Sequence, residues 1–160
     1  MDKKIIIGNV CFVKNTKNEV LLLLRNKPPM AGLYTGVGGK TYFEEDINMS
    51  CLREVKEETG LEVKDLYLKG VLKTILQEAS SSWILFVYTA SVSNNDNISD
   101  CPEGTLQWVA FDKIQSYELI GFIKRIWPYL WEENVFFEGC IMHDVQGNVI
   151  TDVIHHYKLR

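Results

Sequence analysis

Residues 39–61 read GKTYFEEDINMSCLREVKEETGL. Asp46 has the side chain of a helix N-cap and Gly60 is the residue a helix ends on, so the spacing predicts a helix over Ile47–Thr59. Ile47, Cys51, Leu52 and Val55 recur at helical spacing and form its expected buried stripe. Glu54, Glu57 and Glu58 stand at i, i+3 and i+4, on one face and within about one turn. Charged helix faces are ordinarily solvated surface. Two electrostatic effects oppose that reading here. Like charges at i,i+4 destabilise a helix by a few tenths of a kcal/mol. Carboxylates near a helix C-terminus also oppose the macrodipole, by roughly 0.3–1 kcal/mol each at exposed sites. Crowded anions at this end make sense if a cation sits among them. Oxygen ligands with no His or Cys nearby select a hard ion, Mg²⁺ or Mn²⁺, over zinc. Arg53 precedes Glu54 and lies one turn before Glu57, where it can orient a carboxylate; the same spacing also describes an ordinary surface pair worth little. Glu45 lies in the loop before the helix and can turn back toward the cluster.

Upstream, Gly32, Gly36, Gly38 and Gly39 make a glycine-rich loop, which lets backbone approach a phosphate or a metal closely. Neither a Walker A pattern nor a dinucleotide-binding GxGxxG occurs. Residues 5–13 read as a buried strand, 15–18 as a turn and 20–25 as the returning strand. Downstream, residues 63–76 and 83–92 read as long strands joined by a polar loop at 78–82. A second polar loop, 93–102, leads to a short strand at 106–111, and Asp112 is placed to cap a turn or helix. Residues 119–131 predict an amphipathic helix interrupted near Pro128, and 135–142 with 148–157 a C-terminal hairpin. Helices separated by hairpin-linked strands predict an α/β fold with a mixed sheet, not a doubly wound parallel one.

The 160 residues carry 17 Lys+Arg against 21 Asp+Glu, a net charge of −4. That balance excludes a protein living on long nucleic acid, which needs a basic excess. It leaves room for a small phosphorylated substrate arriving with a divalent cation. With 46% hydrophobic and 24% charged residues, the composition predicts one folded domain over residues 1–160. Cys11, Cys51, Cys101 and Cys140 lie far apart with no CxxC pair, which predicts reduced thiols in a cytoplasmic protein without a zinc site. The longest apolar runs, residues 5–7 and 20–24, fall far short of the ~20 residues of a membrane span, and no signal peptide is expected. His155 and His156 are adjacent on a predicted strand, point to opposite faces and cannot easily share an ion. Trp127 and Trp131, at i,i+4, suit core packing better than base stacking.

The pattern Gly39-x5-Glu45-x7-Arg53-Glu54-Val55-x-Glu57-Glu58-x-Gly60-Leu61 is similar to the Nudix box at every position. The resemblance implies a Nudix-type αβα sandwich with a mixed β-sheet, and a hydrolase that cleaves a nucleoside diphosphate linked to another group. It implies Mg²⁺ or Mn²⁺ held by Glu54, Glu57, Glu58 and the Gly38 carbonyl, with Arg53 and Glu45 orienting the carboxylates. A glutamate from a later loop often joins as base or ligand; Glu103 has the right position, with a solvated loop carboxylate as the alternative. Chemically, water attack on a phosphoanhydride builds charge that metal ions neutralise while a carboxylate takes the proton, so no covalent nucleophile is needed.

By the same resemblance, Gln77 stands where ADP-ribose hydrolases of the family often carry proline, and residues 76–78 lack the tyrosine of dinucleoside polyphosphate hydrolases. Residues 36–40 and 103–109, with Phe136 and Phe137, look most like MutT-type 8-oxo-dGTP diphosphatases, particularly the MutX branch. The implied partner is a small-molecule nucleotide, cleaved to monophosphate and pyrophosphate. Thr35 stands where animal relatives read the base with asparagine, and Glu118 stands in for their Trp-Pro-Asp-Asp segment. Gly38, Gly39 and Lys40 complete the expected substrate contacts, and Arg25 is a further cation for phosphate. Hydrolysis of another nucleoside diphosphate derivative or of an RNA 5′ end, and a non-catalytic nucleotide-sensing module, are the competing readings. The sequence carries no signal for an oligomeric state.

Overall fold

The computed structural model describes residues 2–93 and 98–160. Strand β1 (Lys4–Lys14) turns into β2 (Glu19–Arg25) through Asn15, whose Oδ1 accepts from the Lys17 and Glu19 N–H groups at 2.9 and 3.0 Å. The hairpin opens at once, with Lys14↔Val20 as its registered pair. β2 then pairs antiparallel with β3 (Tyr34–Thr35) on one side and β6 (Gly104–Ala110) on the other. β1 instead runs parallel to β5 (Ser81–Ser91) along its whole length. The splay leaves one side of β1 free, and the glycine-rich loop lies there through bridges Cys11↔Val37 and Gly8↔Lys40. Beyond β5 come β4 (Lys64–Leu76), antiparallel to it, then β7 (Val135–His143), parallel to β4, then β8 (Val149–Lys158). The sheet is mixed, as predicted.

Side chains alternate across β1, and this alternation makes two cores. Val10 and Phe12 face helix α2 (Gly121–Leu130), with Leu22, Leu72, Ile126 and Phe137. Cys11 and Val13 face helix α1 (Ile47–Thr59), with Leu21, Cys51, Val55 and Tyr88. Each fully buried Leu, Val or Phe contributes about 1.5–3 kcal/mol. The result is an αβα sandwich with α1 standing over the open side of β1.

Several expected details differ. α2 runs through Pro128 without interruption. The proline lies in the last turn, where its missing N–H forfeits one bond, while buried Ile126, Trp127 and Leu130 hold that turn on the core. Residues Phe111–Ser116 form a 3-10 helix with no side-chain cap, so Asp112 does not cap it. β5 begins at Ser81 because β1 pairs with it from Lys4 onward, which shortens the expected loop. β6 begins at Gly104, held by Arg25 of β2. In α1, Leu52 is half-buried, while Ser50, Glu58 and Thr59 join Cys51 and Val55 inside. Trp127 packs against Phe12, Phe111 and Trp131 at centroid distances of 6.0, 5.5 and 5.5 Å, which makes it a core residue. Residues 94–97 of the expected 93–102 loop lie outside the described residues. Among the described residues no helix is long and apolar enough to cross a membrane.

Candidate active site

Helix α1 begins and ends where its caps require. Asp46 Oδ1 accepts from the Met49 N–H at 2.8 Å, and Gly60, at φ 76°, donates its N–H to Lys56 O at 2.9 Å. These stops aim Glu54 and Glu58 at the glycine-rich loop. Glu58 is 8% exposed, and its Oε2 accepts from the Gly38 N–H at 3.1 Å. A Cβ at Gly39 would sit 2.7 Å from the Glu54 carboxyl carbon, and one at Gly38 would strike the Asn9 carbonyl. Close approach of backbone demands glycine at 38, and at 39 it lets the Glu54 carboxylate lie against the loop. The carbonyls of Val37 and Gly39 are spent on the N–H groups of Cys11 and Asn9, leaving that of Gly38 between them.

Arg53 organises the outer side. Its guanidinium donates to Glu45 at 2.6 and 3.0 Å, to Glu54 at 2.9 Å, to Glu57 at 3.1 Å and to the Lys40 carbonyl at 3.0 Å. It also stacks on Tyr42, with 3.8 Å from Cζ to the ring centre. Both orienting roles expected of Arg53 and Glu45 have their geometry here. The expected single cluster of three carboxylates is divided. Glu54 and Glu58 face the loop, whereas Glu57 has 57% of its side chain exposed and turns to Arg53. Among the described residues, no three Asp, Glu, His or Cys side chains are grouped so as to hold an ion unaided. Arg53 draws three carboxylates to itself, those of Glu45, Glu54 and Glu57.

Charge is unevenly compensated. Arg53 holds the Glu45 carboxyl down at about 2, and Glu45 in turn is the main group raising the guanidinium. Glu58 is pushed up to about 8, chiefly by burial and further by Glu54 and Glu103, against the Gly38 N–H and Arg25. Burial also raises Glu54, against the pull of Arg53.

Glu54 and Glu58 lie on the wall of a cleft of about 740 Å³. Glu103, Arg25 and Lys40 line the same cleft, together with Trp83, Leu76, Leu85, Phe122 and Met30. Glu103, from the loop before β6, therefore shares the wall with Glu58, and it pairs with Lys27 at 3.5 Å. Thr35 is buried on the wall, and Gly38 and Gly39 are part of it. Glu118 is exposed off the cleft wall, and its backbone carbonyl accepts from Tyr34. Asn9 and Trp83 also line the cleft and escaped the sequence reading; His143 joins them there, raised in the sequence only as a metal candidate and set aside. For Asn9 a signal existed, a lone amide inside the apolar run of β1. For Trp83 none did, because only the register of β5 on β4 carries it to the cleft, as that of β7 on β4 carries His143.

A NUDIX domain family model matches residues 6–130. The chain belongs to the Nudix family. It is 35% identical over 142 residues to the uncharacterized Nudix hydrolase YvcI of Bacillus subtilis (strain 168), spanning 87% of this chain and 88% of that one. A MutT protein from Bacillus halodurans has a similar structure, at TM-score 0.80 and 25% identity over 93% of this chain and 97% of that one. A MutT protein from Methanosarcina mazei Go1 follows at TM-score 0.66 and 28% identity, over 81% and 95%. This Nudix hydrolase thus lies on the MutT-like side of the family. Nudix hydrolases generally use divalent metal ions. The donor chemistry fits such an ion: the oxygens offered at Gly38–Gly39 are those of carboxylates and a backbone carbonyl, and among the described residues the Glu58 carboxylate forms no ion pair and accepts only the Gly38 N–H.

Proposed function

We propose that this Nudix hydrolase is a Mg²⁺- or Mn²⁺-dependent pyrophosphohydrolase. In this reading residues 1–160 are one domain, and a nucleoside triphosphate of the 8-oxo-dGTP type is cleaved to monophosphate and pyrophosphate. The observation that carries it is the mixed lining of the cleft. Carboxylates, cations and a glycine loop share it with aromatic and aliphatic side chains. A nucleotide combines the same chemistries, a polyphosphate and a flat base.

Glu54, Glu58 and the Gly38 carbonyl would hold the ion, with Glu57 as a further ligand only when it leaves Arg53, and the ion would supply charge neutralisation on the phosphoryl oxygens. Arg53 keeps Glu54 and Glu57 in place. Arg25 and Lys40, which line the cleft, would bind phosphate oxygens. Glu103, also on its lining, or Glu54 would take the proton of the attacking water. Thr35 borders the region where the base enters. Initial rates across oxidised and ordinary nucleoside triphosphates, ADP-ribose, dinucleoside polyphosphates and 5′-capped RNA, each with Mg²⁺, test the reading. Monophosphate and pyrophosphate from an oxidised triphosphate, at the highest kcat/KM of the panel, is the expected result. Preference for another substrate rejects the assignment, and tight nucleotide binding without turnover rejects catalysis.

A further inference from the structure

Asn9 sits in the middle of β1, 2% exposed, and its two amide atoms have unequal fates. Nδ2 donates to Ser50 Oγ at 2.9 Å, which ties β1 to α1. Ser50 Oγ also accepts from Thr41 Oγ1 at 3.0 Å, so the serine gathers β1, α1 and the loop between them. Oδ1 has no partner. Three buried side-chain polar atoms among the described residues are left so: Asn9 Oδ1 and the indole nitrogens of Trp108 and Trp131. Of these residues, Asn9 is the one on the cleft wall.

The orphaned oxygen lies against the Gly38–Gly39 backbone. A Cβ built on Gly38 would stand 2.9 Å from it, and the Asn9 N–H is bonded to the Gly39 carbonyl at 2.9 Å. The Gly38 N–H beside it is taken by Glu58. An acceptor in this position repels a phosphate oxygen as the carboxylates do. Only a hydrogen-bond donor or a cation satisfies it, and leaving it unmet is costly at such burial. Mg²⁺ and Mn²⁺ keep water ligands whose protons point outward.

We infer that Asn9 is a positioning residue of the cation site, its carboxamide oxygen turned toward the hydration shell of the divalent ion held by Glu54 and Glu58. The inference rests on the metal-dependent reading of the site given above. It assigns Asn9 two jobs at once, fixing α1 through Nδ2 and meeting the hydrated ion through Oδ1.

The test is Mn²⁺ binding to the full chain, stripped with EDTA and without nucleotide, measured by calorimetry. Asn9→Leu removes both amide atoms, and Asn9→Asp keeps an oxygen at Oδ1 while losing the N–H donor to Ser50. Loss of an oriented outer partner typically weakens metal affinity 10–100-fold. Asn9→Leu should fall in that range, and Asn9→Asp should bind Mn²⁺ at least as tightly as the unsubstituted chain. Asn9→Asp should also be less heat-stable without metal and gain more in Tm when Mn²⁺ is added. Equal weakening in both variants, or no change in either, overturns the inference, because a purely structural tie to Ser50 or an isolated buried water treats the two alike. If Asn9→Leu does not fold, the Asp variant decides alone, by its affinity and its Mn²⁺-induced Tm gain. Should the unsubstituted chain bind no Mn²⁺, the metal-dependent reading falls and this inference with it.

Discussion

Glu58→Gln separates what the carboxylate does for the reaction from what it does to the fold. In the metal-free protein Glu58 is pushed from 4.5 to about 8 by burial and by Glu54 and Glu103. The folded chain therefore holds a proton that the unfolded chain has released across that window. Stability linked to this proton is complete below about 4.5 and is lost as pH rises through about 8. At about 1.4 kcal/mol per pH unit the full loss is roughly 5 kcal/mol. Gln keeps the shape and an acceptor oxygen for the Gly38 N–H, and it carries no charge to bury. In EDTA, the variant should melt within ~2 °C of the unsubstituted chain at pH 5. At pH 9 it should melt roughly 10 °C or more higher, since 1 kcal/mol shifts Tm by about 2–4 °C at this size. Added Mg²⁺ or Mn²⁺ should reverse the order by stabilising only the carboxylate form, and turnover by the variant should be undetectable. Differential scanning calorimetry from pH 5 to 9, with and without metal, makes the measurement. A gap in Tm that does not change with pH, or a less stable metal-free variant at pH 9, would refute the electrostatic reasoning.

Three further outcomes follow from the geometry. Arg53→Lys replaces a fork with four acceptor residues by one ammonium. It should lower kcat roughly 10–100-fold in steady-state assays with little change in Tm, and near-normal kcat would remove Arg53 from its orienting role. Gly39→Ala puts a methyl 2.7 Å from the Glu54 carboxyl carbon. Mn²⁺ affinity should drop roughly tenfold while the circular dichroism spectrum stays unchanged; an unaltered affinity would mean that Glu54 has room to yield. His143 is buried, and its Nε2 accepts from the Phe122 N–H at 3.1 Å, which requires a neutral ring. Burial holds its pKa below 6.5, so its share of stability is present above about 6.5 and is lost as pH falls. His143→Asn should flatten the acid limb of the Tm–pH curve, and an unchanged limb would show that His143 does not set it.

How much of this was readable in advance depends on how local each determinant is. α1 was legible to the residue because Asp46 and Gly60 write both ends into the sequence. The carboxylates on it were legible for the same reason, since i, i+3 and i+4 need no tertiary information. What failed was their division. Glu57 and Glu58 are adjacent, and which of them goes inward depends on where Arg53 finds Glu45, eight residues away across a loop. α2 failed at Pro128 because packing of Ile126, Trp127 and Leu130 outweighs one lost backbone bond at a helix end. Glu118 was chosen by position along the chain, and position does not say that its side chain lies off the wall. Asn9 shows the opposite case. An amide in an apolar strand must find partners, and asking where they are leads to Ser50 on one side and the Gly38–Gly39 loop on the other.

The uneven sharing of Arg53 is what joins fold to function. A cluster of four glutamates on one helix end and its approach loop would repel itself apart without a cation. Arg53 supplies that cation for Glu45, Glu54 and Glu57, all from the outer side. Glu58 has no ion pair among the described residues: the Gly38 N–H is its hydrogen-bond donor, and the pull of Arg25 is opposed by burial, Glu54 and Glu103. The uncompensated charge is therefore concentrated on the wall that faces the cleft, where a hydrated dication finds both a field and oxygen ligands. Glutamine in place of Glu58 would keep the acceptor for Gly38, remove the buried charge and abolish that field. Among Glu45, Glu54, Glu57 and Glu58, the sequence keeps the less stable choice at the one without an ion pair.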